Sequence, residues 1–147
     1  MGTHEFLEEC KQALGFLVRD YGFSGPEVKL ESPGLASVVY RKGLVGVECT
    51  YEERDDDISV RIIRLHKGEP PKEYRKNASG LVVREYLTHL LLQRGIRDLG
   101  FPNPPAESGL PPHIMRYRRA LQGYARLLRT YAQDVLIGSD EILDLVE

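Results

Sequence analysis

The stretch LVGVECTYEERDDDISVRIIRL, residues 44–65, decides the fold. Val45, Val47, Cys49 and Tyr51 alternate with Gly46, Glu48, Thr50 and Glu52. Ile58, Val60 and Ile62 repeat that two-residue period beyond Arg54-Asp55-Asp56-Asp57. Successive side chains of a strand point to opposite faces, so the pattern predicts an antiparallel hairpin with one buried face. Its tip gathers Glu48, Glu52, Glu53, Asp55, Asp56 and Asp57 around the single Arg54, making it the most charged feature of the chain.

Upstream of the hairpin, Phe6, Leu7, Cys10, Leu14, Leu17, Val18 and Tyr21 recur at three- and four-residue spacing, which predicts an amphipathic helix over 4–21. Gly22 is placed to take the left-handed cap conformation. EVKLE (27–31) and ASVVYR (36–41) read as short strands split by the turn Ser32-Pro33-Gly34. Short links force sequential neighbours to pair antiparallel, so the expected sheet is a four-stranded meander.

Downstream, Val83, Tyr86, Leu87, Leu90 and Leu91 share a face of a predicted helix over 79–94. Residues 95–112 hold five prolines and three glycines and form a connector, either a packed irregular loop or a hinge. A third helix is expected over 113–137, with the stripe Tyr117, Leu121, Tyr124, Leu128, Tyr131 and Val135. That stripe is too short for a coiled-coil argument and reads as a face packed on its own domain, with a homodimer seam as the alternative. Gly138 closes it, and Ser139-Asp140-Glu141 can cap a last turn through Leu143. The expected whole is a single α+β domain over 1–147: an N-terminal helix, the meander, and two C-terminal helices packed on one sheet face.

Composition bounds the function without naming it. The chain is 147 residues long, 41% hydrophobic and 29% charged, with a net charge of −2, so no overall charge calls for nucleic acid or an acidic membrane surface. No apolar run approaches the ~20 residues of a membrane span. Acidic residues sit where a signal peptide carries basic ones, and the expectation is a cytoplasmic protein. Cys10 and Cys49 fall on apolar faces and read as buried, reduced thiols, with a disulfide as the alternative.

Motifs for chemistry are absent. The acidic turn lacks the central Gly and distal Glu of a calcium loop, and Glu48-Cys49-Thr50 lacks the lysine of a nuclease metal site. His4, His66, His89 and His113 fall in separate elements without zinc-ligand spacing. His89 lies four residues after Glu85, an ordinary helix-surface pair. No nucleophile elbow, C-x-x-C, P-loop or dinucleotide fingerprint occurs, so no catalytic residue, metal or cofactor is expected. An enzyme would need a pocket between the sheet and the connector.

Charge is more informative than motif. Arg116, Arg118, Arg119, Arg126 and Arg129 stand on the third helix with no acid between 110 and 133, while the tail from Asp134 carries no base. Arg116, Arg119, Arg126 and Arg129 form a candidate anion-binding face for a phosphate ligand or nucleic acid. The alternative is internal compensation by the acidic turn and tail. Lys67, Lys72, Arg75 and Lys76 surround Pro70-Pro71 in a loop expected to be exposed and extended.

Phe16-Leu17-Val18 with Tyr21-Gly22-Phe23, the strand Val38-Val39-Tyr40, and the turn pattern of Val45, Val47, Tyr51, Arg54 and Asp55 resemble small bacterial α+β proteins of the toxin-immunity type. The resemblance covers roughly residues 6–65. It implies a cytosolic binder that masks a toxin's active site, and it carries over no catalytic residue. The leading expectation is therefore a non-catalytic protein-binding module that offers Glu52, Glu53, Asp55, Asp56 and Asp57 to a basic protein partner. It acts as monomer or homodimer, with nucleic acid the lesser alternative and no membrane partner.

Overall fold

A computed structural model describes residues 2–100 and 109–147. The order is α1 (Gly2–Ala13), α2 (Phe16–Tyr21), β1 (Ser24–Ser32), β2 (Leu35–Lys42), β3 (Val45–Glu52), β4 (Asp57–Arg64), β5 (Arg84–Tyr86), α3 (Leu87–Gln93), α4 (Pro112–Tyr131) and α5 (Gln133–Leu136), closed by a 3-10 turn at Glu141–Leu145. The strands form one antiparallel sheet in the order β1-β2-β3-β4-β5. The hairpin at 45–64 pairs in unbroken register from Val45↔Arg64 to Glu52↔Asp57.

The α+β class and the meander stand, but the sheet has five strands instead of four. Helix was expected over 79–94; instead Arg84–Tyr86 pairs with β4 through Arg61↔Tyr86, Ile62↔Glu85 and Ile63↔Arg84, and α3 begins only at Leu87. The free edge of β4 has backbone groups to satisfy, and three residues of 84–86 do so before the chain turns helical. The first helix is also divided. Gly15 makes a tight turn there, where a Cβ would lie 2.8 Å from the Lys11 carbonyl oxygen. The third helix ends at Tyr131 and resumes as α5 after Ala132.

The core lies between the sheet and the helices. Ala36, Val38, Tyr40, Val45, Val47, Cys49, Tyr51, Ile58, Val60 and Ile62 pack against Phe6, Cys10, Leu14, Phe16 and Leu17, and against Leu87, Leu90, Leu91, Tyr117, Leu121 and Leu128. The tyrosine–leucine stripe of α4 is thus used within its own chain: Tyr117, Leu121, Tyr124, Leu128 and Val135 are buried. Glu9 of α1 and Arg118 of α4 clamp the two helices through bonds of 2.7 and 3.1 Å. Cys10 and Cys49 are buried free thiols, and burial first, then the hydrogen bond between the two thiols, raises the pKa of Cys49. Gly22 takes φ 73° and donates its N–H to the Leu17 carbonyl, the cap its position predicts.

One element alters the expected single buried face. The β4–β5 connection, residues 65–83, leaves Lys67, Lys72 and Lys76 exposed, as expected, but it is not a free extended loop. It folds back as a strap over the sheet face opposite the helices, burying Pro71, and Ser37, Glu48 and Thr50 beneath or beside it are buried too. Of the connector at 95–112, Ile96 and Leu99 pack on the core. The rest of its proline-rich middle, 101–108, lies outside the described residues.

Candidate ligand groove and acidic rim

Period-two alternation places Ser37, Val39, Glu48, Thr50, Ser59 and Arg61 on the face turned away from the helices. The strap walls that face on the β5 side with Pro70, Pro71, Lys72 and Tyr74, and β1 borders it on the other with Lys29 and Glu31. The result is a groove of about 870 Å³. Its floor is a row of hydroxyls: Ser37 and Thr50 lie 3.4 Å apart, and Thr50 stands opposite Ser59.

The strap end is cationic and aromatic, and its two arginines, Arg61 and Arg84, are already engaged. Arg84 Nε donates to Glu48 Oε1 at 3.1 Å, one Nη donates to the Pro71 carbonyl at 3.1 Å, and the other donates to the Glu73 carbonyl. A single guanidinium therefore ties the strap to β3. Arg61 lies between the rings of Tyr74 and Tyr86, 5.4 and 4.7 Å from their centres, and donates to the Tyr86 hydroxyl at 3.0 Å. That bond, then one from Tyr74, lowers the pKa of Tyr86. Glu48, in the sheet centre, pairs with Arg84 and lies 3.7 Å from Arg61.

The opposite end is acidic. Glu52 and Asp57 face each other across the last pair of the hairpin and line the groove mouth together with Glu31. Glu53 and Asp55 stand exposed on the adjoining turn. Of the five carboxylates expected to bind a partner, four thus remain on one surface, and that surface continues into the groove. Asp56 is separated from them in role. It sits at φ 49°, a left-handed conformation that Asp tolerates, and points back to α4. Arg116 donates to Asp56 at 2.8 Å, and the hydroxyls of Tyr117 and Tyr51 donate at 3.0 and 3.2 Å. The Arg116 bond, the largest effect, lowers the pKa of its carboxyl; burial opposes it as the next largest, and the Tyr117 and Tyr51 hydroxyls add to the lowering.

The arginine face is dispersed in the same way. Arg116 is spent on Asp56. Arg126 donates to the carbonyls of Asp98 and Gly100 at 3.2 and 2.7 Å. Arg129 lies 4.0 Å from the Phe16 ring centre, and Arg119 is exposed. The helix and the acidic turn therefore compensate each other at Asp56–Arg116. His89 contacts Glu85, but not as the expected helix-surface pair: Glu85 is the buried middle residue of β5 and lies 3.6 Å from Arg75.

Among the described residues no group of three or more His, Cys, Asp or Glu side chains is placed to hold a metal ion, and no helix is long and apolar enough to cross a membrane. The groove is lined by the strap and the open sheet face, on the side away from the helices, and by no described residue of the connector. Its floor was within reach of the sequence, since alternation assigns Glu48, Thr50 and Arg61 to one face. The strap was not, because no periodic pattern marks residues 65–83. No family model, no curated protein and no solved structure matches this chain.

Proposed function

We propose that the protein is a non-catalytic binding module that receives a basic segment of a partner protein at the acidic mouth of the groove. The observation that carries this reading is the convergence of Glu31, Glu52 and Asp57 at that mouth with Glu53 and Asp55 beside it, on the rigid end of a fully registered hairpin. Clustered exposed carboxylates speed the encounter with a cationic partner and orient it, while the hydroxyl floor accepts an extended chain. An inhibitor of the toxin-immunity type, covering the basic active site of a nuclease, is the specific form of this function that the sequence resemblance favours. The strap-side arginines speak against a catalytic role, since Glu48 and two backbone carbonyls consume the Arg84 donors.

The test reverses Glu52, Asp55 and Asp57 to Lys and leaves Asp56 intact, because Asp56 serves the fold. A fluorescent Lys/Arg-rich decapeptide is the probe. Wild type is expected to bind it with an affinity that falls as salt rises, and the triple variant to lose at least about tenfold, as for loss of several charge contacts. Equal binding by a folded triple variant overturns the proposal.

A further inference from the structure

β1 ends the sheet with nothing paired to its outer edge among the described residues, and all nine of its residues are exposed. Edge strands in proteins are usually short, charged throughout or covered, because a row of open N–H and C=O groups templates further pairing. β1 runs nine residues, in regular register with β2 from Glu27 to Leu30 and with breaks between Ser24 and Glu27 and between Leu30 and Ser32, and on its helix-side face it carries Val28 and Leu30, exposed by 39% and 68%. Lys29 and Glu31 lie on the groove face of the same strand.

We infer that β1 is a self-association edge, pairing antiparallel with β1 of a second copy about a twofold axis at Leu30. Charge selects both occupant and register. A twofold normal to the sheet keeps each side chain on its own face, so the axis must pass through a residue pair. Centring on Lys29 sets Lys29 against Lys29 and Glu27 against Glu31, so every pair on the charged face repels while only Val28 and Leu30 match. Centring on Val28 brings Pro26, which has no N–H, opposite Leu30 and draws on Glu27, already held by Arg41. Centring on Leu30 places Leu30 against Leu30 and gives two reciprocal Lys29–Glu31 pairs; Lys29 leaves its 3.7 Å contact with Glu27, which keeps Arg41. The strand is thus complementary to itself in this register. The two five-stranded sheets become one continuous sheet, and the two grooves, each bordered by Lys29 and Glu31, adjoin along it.

A single-strand edge is a small interface, so association is expected to be reversible and visible by sedimentation velocity between about 1 µM and about 1 mM. Wild type should approach twice the chain mass at the upper end. Lys29→Glu and Glu31→Lys should each sediment as monomers there, because each creates two like-charge pairs, and their equimolar mixture should regain the dimer. Leu30→Cys should cross-link to itself on mild oxidation, whereas Leu44→Cys, also exposed but off the edge, should not. A wild type that stays monomeric throughout overturns the inference, as does a dimer unaffected by either charge variant, or a mixture that remains monomeric. These exposed positions bear little on folding, and none belongs to the decapeptide test.

Discussion

Asp56 shows how one residue in a run of like residues acquires a separate task. Asp55, Asp56 and Asp57 are indistinguishable in sequence, yet only Asp56 adopts a left-handed backbone and meets Arg116, Tyr117 and Tyr51. Its folded pKa is depressed, so its contribution to stability is present above the ordinary carboxylate range and is lost as pH falls through the lowered value. The side chain is partly exposed, at 39%, and solvent screening limits that contribution to under about 1 kcal/mol. Asp56→Asn is therefore expected to lower the urea midpoint modestly at neutral pH, with the deficit against wild type closing in acid. A deficit independent of pH would contradict this account. Tyr40 presents the opposite case: its hydroxyl is buried with no hydrogen-bond partner, and burial, with the Cys10 and Cys49 thiols, raises its pKa. A buried unsatisfied hydroxyl costs stability, so Tyr40→Phe should raise stability by up to about 1 kcal/mol in the same assay.

At the scale of elements, two partly buried ion pairs, each with a buried glutamate, hold pieces that propensity alone would leave loose. The strap has few regular hydrogen bonds of its own, the isolated bridges His66↔Glu69 and Lys76↔Val82 among them, and Arg84 ties it to Glu48. Arg84→Ala leaves Glu48 buried without its main partner and should cost about 3–5 kcal/mol. Hydrogen exchange should accelerate in 69–76 before it does in β2 or β3; uniform acceleration would mean that Arg84 supports the sheet as a whole. Glu9 and Arg118 play the same part between α1 and α4, and Glu9→Ala should cost about 1.5–3 kcal/mol in chemical denaturation, as for loss of hydrogen bonds to a charged group. β5 belongs here too. Arg84-Glu85-Tyr86 carries no strand pattern of its own, and with Val83, Tyr86 and Leu87 in view its apolar spacing favours helix. Only the open edge of β4 makes those residues a strand.

For the whole molecule, charge placement matters more than charge count. The net charge is −2, yet the acidic mouth and the arginine helix lie on opposite sides of the sheet, and Asp56 joins them through Arg116 and the Tyr117 hydroxyl. With Arg116, Arg126 and Arg129 engaged within the chain, the protein is expected to pass through a heparin column at low ionic strength. Retention that weakens with salt would restore the anion-binding alternative. The hairpin, the core-facing residues Val45 to Ile62, the cap at Gly22 and the α+β class were determined by the sequence itself. Alternation, helical spacing and glycine's freedom at positive φ are local properties that neighbouring residues report. The fifth strand, the strap over Glu48, the departure of Asp56 from its acidic neighbours and the exposed edge of β1 were decided only by tertiary structure. Each rests on partners far apart in the chain: Arg84 reaches Glu48 across 36 positions, and Tyr117 reaches Asp56 across 61. Such pairings form only when the sheet and helices bury their common core, so no local pattern announces them.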